Sequence, residues 1–475
     1  MKKLDYYKWI VGVCLILILT ACQDWLDVRP KTEIESKDLF ESESGFKEAL
    51  AGVYSNMTSQ QLYGRDLTFG IIDALGQCWD IKSTANEFFY FTVYNYQEKV
   101  VQVRIDTIWA SMYNVIANIN NILEHIDAQR GIFYKDNYSI IKGEALALRA
   151  YVHFDLLRMF APADFSGVDK VLPYVKEFSK QVVAYSTPKE FVDLVVADLV
   201  AAAQLLKTDP LVTGEEITTD EDKGYLINRQ FHMNYYAVQG LLARVQLYAG
   251  RNMEARTAAW EVVEAHEQNG LFPWIKRDDI TVSEKALRDR TFSSELLFAL
   301  NIRKLVDYIK PYFRESSGNL ATRRDISTMY EGMADYRKDY LFETSGSQAD
   351  VCAKLWQEEA VNGKTPKRDR MPMIRLSEMY YILAECDKAD VGKAVGYLNS
   401  VRQNRGIPVD LQEEHLSSDD VQNEILKEYQ KEFICEGQLW FYHKRRHDAA
   451  IANVKADYVF PVPVAEKDYG NRNQK

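Results

Sequence analysis

The chain has 475 residues, 47% of them apolar and 12% aromatic, and a formal net charge of −11. That length buries a large core without disulfide or metal staples. Its acidity repels phosphate backbones and anionic headgroups, so nucleic acid is set aside as a partner class and membrane attachment must rest on something other than charge.

Lys2, Lys3 and Lys8 make a basic start, and Ile10 to Leu19 is uncharged yet far shorter than the ~20 residues that span a bilayer. Leu19-Thr20-Ala21-Cys22 closes the run. Residues 1–21 therefore read as a bacterial lipoprotein signal, cut before Cys22, which becomes the lipid attachment site. Several acyl chains make a firm anchor, each buried methylene contributing roughly 0.8 kcal/mol. Three lysines and one aspartate leave with the signal, which takes the charge from −11 to −13.

Helical periodicity then recurs along the mature chain. Phe46, Leu50, Val53, Tyr54 and Met57 share one face after the turn-like Ser42 to Gly45. A second helix is predicted over Ile108 to Ile126, and a third over Ile141 to Phe160, stopping at Ala161-Pro162. Thr187, Pro188 and Glu190 form a capping-box start, followed by an apolar face of Phe191, Leu194, Val195, Leu199, Ala202 and Leu206.

Two later stretches, Asn234 to Ala265 and Met373 to Gly406, look like versions of one helix-turn-helix unit. Their length is close to the ~34 residues of a tetratricopeptide repeat. Long polar and aromatic excursions separate the helices: Leu62 to Gln97, Thr208 to Arg229 and Gly270 to Arg370. Glu295 to Leu300 and Tyr458 to Val462 are candidate short strands, but no run of alternating strands points to a sheet-based fold. The predicted class is all-α, with tetratricopeptide-like helix pairs as scaffold and binding residues in the excursions.

Motifs for catalysis are sparse. The sequence has no H-E-x-x-H, no G-x-S-x-G and no phosphate-cradling glycine loop. His443 and His447 have i,i+4 ligand spacing, but Lys444, Arg445 and Arg446 between them oppose a cation, so neither metal nor cofactor is expected. Glu428, Glu432 and Glu436 share a helical face, a pattern open to acid–base work on sugars; pairing with Arg402, Arg405 or Arg445 is the preferred reading. Cys78, Cys352, Cys386 and Cys435 are scattered, and spacing assigns no disulfide among them. Asp106-Thr107-Ile108 is similar to a bacterial O-glycosylation acceptor at a predicted helix start.

Aromatic side chains carry more weight, since sugar rings stack their C–H faces on them while hydroxyls seek Asp, Asn and Arg. The chain has 29 Tyr and 8 Trp. Asp73, Trp79 and Asp80 in the first excursion, and Trp274, Tyr312, Arg314 and Trp356 in the third, are the candidate ligand-binding residues. Trp109, Trp260 and Tyr380 fall on helical apolar faces and read as core.

Several segments together resemble the SusD/RagB family of outer-membrane nutrient-binding lipoproteins. Trp25-Leu-Asp-Val-Arg-Pro30 is similar to that family's opening, and Ser36 to Phe40, Gly45-Phe46 and Ala49 to Tyr54 to its first helix. Glu144 to Arg158, Arg375 to Glu385, Tyr397 to Arg402, Arg405-Gly406 and Glu432 to Gly437 follow in order. The resemblance implies about four tetratricopeptide-like helix pairs over residues 22–475, with an N-terminal half of about 22–230 and a C-terminal half of about 231–475 in one compact unit. It also implies a non-catalytic, lipid-anchored protein on the outer face of the outer membrane, which catches an oligosaccharide or a peptide and hands it to a SusC-type TonB-dependent transporter. A lipid-anchored glycan hydrolase and a ligand-free scaffold remain the alternatives.

Overall fold

Ser42 opens the first helix, its hydroxyl accepting the Gly45 N–H (3.2 Å), and α1 (Glu43–Met57) buries Phe46, Leu50, Val53 and Met57 as the spacing predicts. The computed structural model describes residues 38–313, 320–321, 326–344, 350–356 and 367–470. The signal segment, Cys22, the Trp25 to Pro30 motif and Arg314 lie outside the described residues.

The second helix, α2 (Lys99–Ile126), starts nine residues before the predicted Ile108. Val101, Ile105 and Ile108 continue its buried stripe, but β-branched residues mixed with charges disguise that first part. It also places Asp106-Thr107-Ile108 inside the helix, where the Thr107 hydroxyl donates to the Val103 carbonyl. In α3 (Asn137–Phe160) burial runs nearly all round, because this helix is covered on both sides by α2 and α4 (Pro188–Leu205). The α4 capping box is present, Thr187 Oγ1 accepting from Glu190 N and Glu190 Oε2 from Thr187 N.

The two predicted hairpins are α5 (Tyr235–Tyr248) with α6 (Asn252–Asn269), and α8 (Leu376–Cys386) with α9 (Val391–Asn404). Helices pack in series: α1 on α2, α2 on α3, α3 on α4, α4 on α5, α5 on α6, α6 on α8, α8 on α9. This is the stacking of tetratricopeptide-like pairs, in which each pair buries a face it cannot cover alone. A short α7 (Leu305–Phe313) lies in the third excursion, and α10 (Ser418–Glu432) and α11 (Leu439–Arg445) close the scaffold, α10 resting on α8 and α9.

Strands are few. The predicted strand forms as β1 (Leu296–Asn301) and pairs antiparallel with β4 (Arg370–Arg375), from Leu296 opposite Arg375 to Asn301 opposite Arg370, with the register shifting on either side of Phe298. The helix predicted from Met373 therefore starts only at Leu376, since Met371 to Ile374 are taken up by the ladder. A second antiparallel pair, β2 (Phe342–Thr344) with β3 (Asp350–Cys352), forms within the third excursion. Tyr458 to Val462 forms no ladder; Phe460 instead donates its N–H to the Met159 carbonyl (2.9 Å) and stacks on Trp440.

Burial is shared across the chain, one apolar cluster running from Phe40 to Phe460. Through it passes a network of charges without exposure. Glu432 meets Arg405 (2.6 Å), Arg337 (2.9 Å) and Arg375. Glu428 meets Arg337 (2.7 Å), Tyr381 (3.1 Å) and Arg402 (3.7 Å). Glu436 meets Arg375 and Lys354, and Arg405 also grips Glu295 on the 3₁₀ turn before β1. Burial alone would raise the Glu432 carboxyl, but the surrounding guanidiniums of Arg405, Arg375 and Arg337 hold it well below the ordinary carboxylate range. Pairing of the acidic face with Arg402 and Arg405 is as predicted; Arg445 instead makes a bidentate bridge to Glu385.

Candidate functional site

Leu305, Ile309 and Phe313 fall at i, i+4 and i+8 on α7 and are buried, which leaves Tyr308 and Tyr312 beside them, half-buried on the rim. Phe313 packs edge-on against Trp79 (5.5 Å) and against Phe69 (5.6 Å). Those contacts dock α7 onto the first excursion. Tyr312 then lies between Phe69 and Phe88, each 5.7 Å away, with one side still open.

Its hydroxyl is fixed from two directions. It donates to Glu87 Oε1 (2.8 Å) and accepts from Arg65 Nη1 (3.0 Å). Arg65 is tied to Asp66 (2.7 Å), Asp66 to Arg104 (2.5 Å), and Arg104 returns to Glu87 (3.0 Å) while its guanidinium covers the Phe88 ring at 4.7 Å. The ring of two cations and two carboxylates is neutral as a whole. Only Glu87 is open to solvent, its side chain 45% exposed against 3% for Asp66. Burial, and behind it the Glu87 charge, push the Tyr312 phenol up to about 12 against the pull of Arg65, so at neutral pH it keeps its proton. Phe89 and Tyr90 follow Glu87, half-buried and edge-to-face at 5.4 Å.

The patch thus combines half-open aromatic faces with a carboxylate and two immobilised guanidiniums. Such a surface can stack an apolar ring face and accept or donate hydrogen bonds at its rim, with little ordering entropy left to lose. Among the described residues it holds no arrangement of nucleophile and base.

Of the predicted residues, Tyr312 belongs to this patch; Asp80, next in the chain to Trp79, which packs on Phe313, is exposed, pairs with Lys82 (2.8 Å) and donates its N–H to the Ala321 carbonyl (2.9 Å). Two others sit behind it. Trp79 is fully buried, its Nε1–H donating to the Phe69 carbonyl (2.8 Å), and offers no face to a ligand. Asp73 is also buried and accepts the N–H groups of Cys435 (2.7 Å) and Gly437 (3.1 Å), and that burial pushes its carboxyl up. Trp274 lies in the other half, half-buried against Tyr380 (5.1 Å), His266 (5.3 Å) and the Arg405 guanidinium (5.5 Å). Trp356 is half-buried, its carbonyl accepting from Arg290 (3.3 Å).

Arg65, Glu87 and Arg104 were not legible from the sequence. Arg104 precedes the predicted start of its helix, and nothing in the sequence shows that it meets Asp66. The run Glu87-Phe88-Phe89-Tyr90-Phe91 is the one cue that was open to reading. His443 and His447 share no helix face: His443 is buried and bound to Asp448 (2.7 Å), whereas His447 lies beyond the helix end at φ +56°.

Away from the patch, a cleft of about 690 Å³ opens at the C-terminal ends of α3, α5, α8 and α11, lined by Phe165, Tyr248, Lys388, Arg446 and His447 among others. Cations at such ends complement the helix dipoles, a sufficient reason for their presence there.

Comparison with known proteins places the chain firmly. Residues 24–247 match a family described as starch-binding and associating with the outer membrane, and residues 329–474 match the SusD family. Among curated proteins, SusD-like protein P25 of Formosa agariphila is 25% identical over 175 residues, and SusD-like protein P2 of the same organism is 23% identical over 208. These matches cover 35% and 43% of the chain but only 32% and 38% of the relatives, about a third of their length. Among solved structures, a SusD superfamily protein of Bacteroides vulgatus aligns over 90% of this chain and 96% of its own (TM-score 0.70, 20% identity). One from Bacteroides thetaiotaomicron aligns over 88% and 91% (0.68, 22%). A putative sugar-binding protein of Bacteroides vulgatus aligns over 85% and 86% (0.67, 23%).

Proposed function

Because the chain belongs to the SusD/RagB family, we propose that it is a lipid-anchored cell-surface protein that binds an oligosaccharide and passes it to a SusC-type TonB-dependent outer-membrane transporter. The observation that carries the binding half is Tyr312: a half-open aromatic ring whose hydroxyl is clamped by Arg65 and Glu87, with Phe89 and Tyr90 alongside. A pyranose stacks its axial C–H face on that ring, and its hydroxyls reach Glu87 at the rim. The function is capture without chemistry. The acidic face once open to an acid–base reading supports this, since Glu428 and Glu432 are fully buried and spent on guanidiniums. The sugar-binding name of one structural relative is a further support.

Anchoring by Cys22 accounts for attachment in a chain whose described helices include none long and apolar enough to cross a membrane. Palmitate labelling of the full chain, lost in Cys22→Ser, tests it. For the ligand, calorimetric titration is run against a panel of oligosaccharides and, as the competing class, short peptides. The expected result is saturable binding of a saccharide that Tyr312→Ala weakens about tenfold or more, equivalent to ~1.4 kcal/mol. Binding of peptides alone, or saccharide binding indifferent to Tyr312→Ala, overturns the assignment. Co-purification with a TonB-dependent barrel from native outer membranes tests the transfer step.

A further inference from the structure

Glu87 stands on backbone that is held by turns. Asn86 donates its N–H to the Ser83 carbonyl (3.0 Å), and the Asn86 side-chain oxygen accepts the Phe88 N–H (2.9 Å). Two partners then steer the carboxylate, Tyr312 at Oε1 (2.8 Å) and Arg104 at Oε2 (3.0 Å). A carboxylate has about four lone-pair sites, so roughly half stay free on a side chain that is 45% exposed.

The other charges of the ring are far less open: Asp66 keeps 3% of its side-chain surface, Arg104 17% and Arg65 18%. Both cations are also engaged. Arg65 gives Nε and Nη2 to Asp66 and Nη1 to Tyr312. Arg104 gives Nη1 to Glu87 and Nη2 to Asp66, with its plane over the Phe88 ring. Tyr312 tilts the balance in the same direction. Its proton is committed to Glu87 and one lone pair to Arg65, so its oxygen has only acceptor capacity left.

What the Tyr312–Glu87 pair presents to a ligand is therefore a set of acceptors and one negative charge. A sugar hydroxyl donates into such a rim, and a hydrogen bond to a charged acceptor is stronger than one between neutral groups. A uronate or sulfate group brings acceptors where acceptors already stand, and a like charge. Two unit charges about 5 Å apart weaken binding about fourfold at the dielectric of water, and by more once the ligand displaces water. The net charge of −11 on the whole chain acts in the same sense.

We propose that Glu87 sets the charge class of the ligand: the Tyr312 patch takes uncharged saccharides and turns away those that carry uronate or sulfate groups. Such selection presupposes the saccharide assignment above and adds to it a specificity-determining residue, which touches the ligand through its free lone pairs.

Oligomers of glucose, galactose and mannose are titrated calorimetrically against the full-length protein in detergent, beside the same oligomers oxidised at C6 to uronates. At low salt the neutral oligomer that binds should exceed its uronate counterpart by about fourfold or more in affinity. The gap should narrow as salt rises, because the screening length falls from about 30 Å at 0.01 M to about 3 Å at 1 M. Glu87→Gln keeps the shape of the side chain and removes its charge, so it should bring the two affinities together. A gap caused only by the lost C6 hydroxyl would survive both salt and Glu87→Gln. That result, or uronates binding the parent protein as tightly as the neutral oligomers, overturns the selection and leaves the saccharide assignment standing. Absence of binding by every oligomer overturns both.

Discussion

Two regions of the molecule are built from the same parts, guanidiniums, carboxylates and aromatic rings, yet are suited to opposite tasks. Around Glu432 every charge is sealed: Arg337, Arg375, Arg405, Glu428 and Glu432 all have side chains at 0% exposure. Around Tyr312 the same pairing is left open on one side, at Glu87 and at the rings of Tyr312, Phe89 and Tyr90. Removing one partner in a sealed network strands an uncompensated charge, whereas at a half-open rim water replaces the lost partner. The first region therefore holds the fold. The second can exchange water for a ligand.

Glu432→Gln is the sharpest way to break this contrast. It leaves three guanidiniums short of a counter-charge and should lower stability by about 3–5 kcal/mol in denaturant unfolding. A loss under 1 kcal/mol would mean that the sealed network is dispensable.

Acid should act on the sealed side next. Burial and the facing Arg337 leave Glu428 with a carboxyl at about 2, depressed by its guanidinium partner despite desolvation. A depressed carboxyl contributes stability that is present above the unfolded value near 4.5 and is lost as pH falls toward 2, on the order of 3 kcal/mol. His153 adds an earlier phase. It is buried, donates Nδ1–H to the Arg149 carbonyl (2.9 Å), and accepts the Val175 N–H at Nε2 (3.0 Å), so burial holds it neutral down to about 3. The unfolded chain takes up that proton near pH 6.5, so stability should begin to fall below pH 6.5 and steepen below 4.5. His153→Asn should blunt the first phase in a pH series of thermal unfolding and leave the second; an unchanged first phase would remove His153 from the account.

On the open side the effects should appear in binding. Tyr312→Phe keeps the stacking face and removes the hydroxyl clamped by Arg65 and Glu87, so saccharide affinity should fall about three- to tenfold with a thermal midpoint close to that of the parent. A fall as large as that of Tyr312→Ala would locate the binding energy in the hydroxyl rather than the ring. Smallest of all, Glu87→Gln should change stability by less than about 0.5 kcal/mol, as rim ion pairs do. A loss comparable with Glu432→Gln would erase the distinction between the two regions.

How far the sequence reached follows the range of the interactions involved. The faces of α1 and α4, the Thr187 capping box and the hairpins α5–α6 and α8–α9 were legible because periodicity and capping are written within a few residues. The beginning of α2 was not, since Val101 and Ile105 acquire their meaning only once α3 lies beside them. The end of strand β4, from Met373, was taken for helix because Met371 to Ile374 pair with β1, some 75 residues earlier, and local propensity carries no trace of that partner. The candidate site divided in the same way. Aromatics were sought in the first and third excursions, but which of them are open depends on what covers them: Trp79 is sealed by Phe313, while Tyr312, next to Phe313 in the chain, is not.

By itself the sequence determined the helical class, the order of the segments and the family to which they belong, because each of these is carried by short-range spacing of apolar, capping and small residues. Tertiary structure alone decided which charges are sealed and which are offered. Exposure and contact between residues hundreds of positions apart are properties of packing, and no window of sequence contains both sides of such a contact.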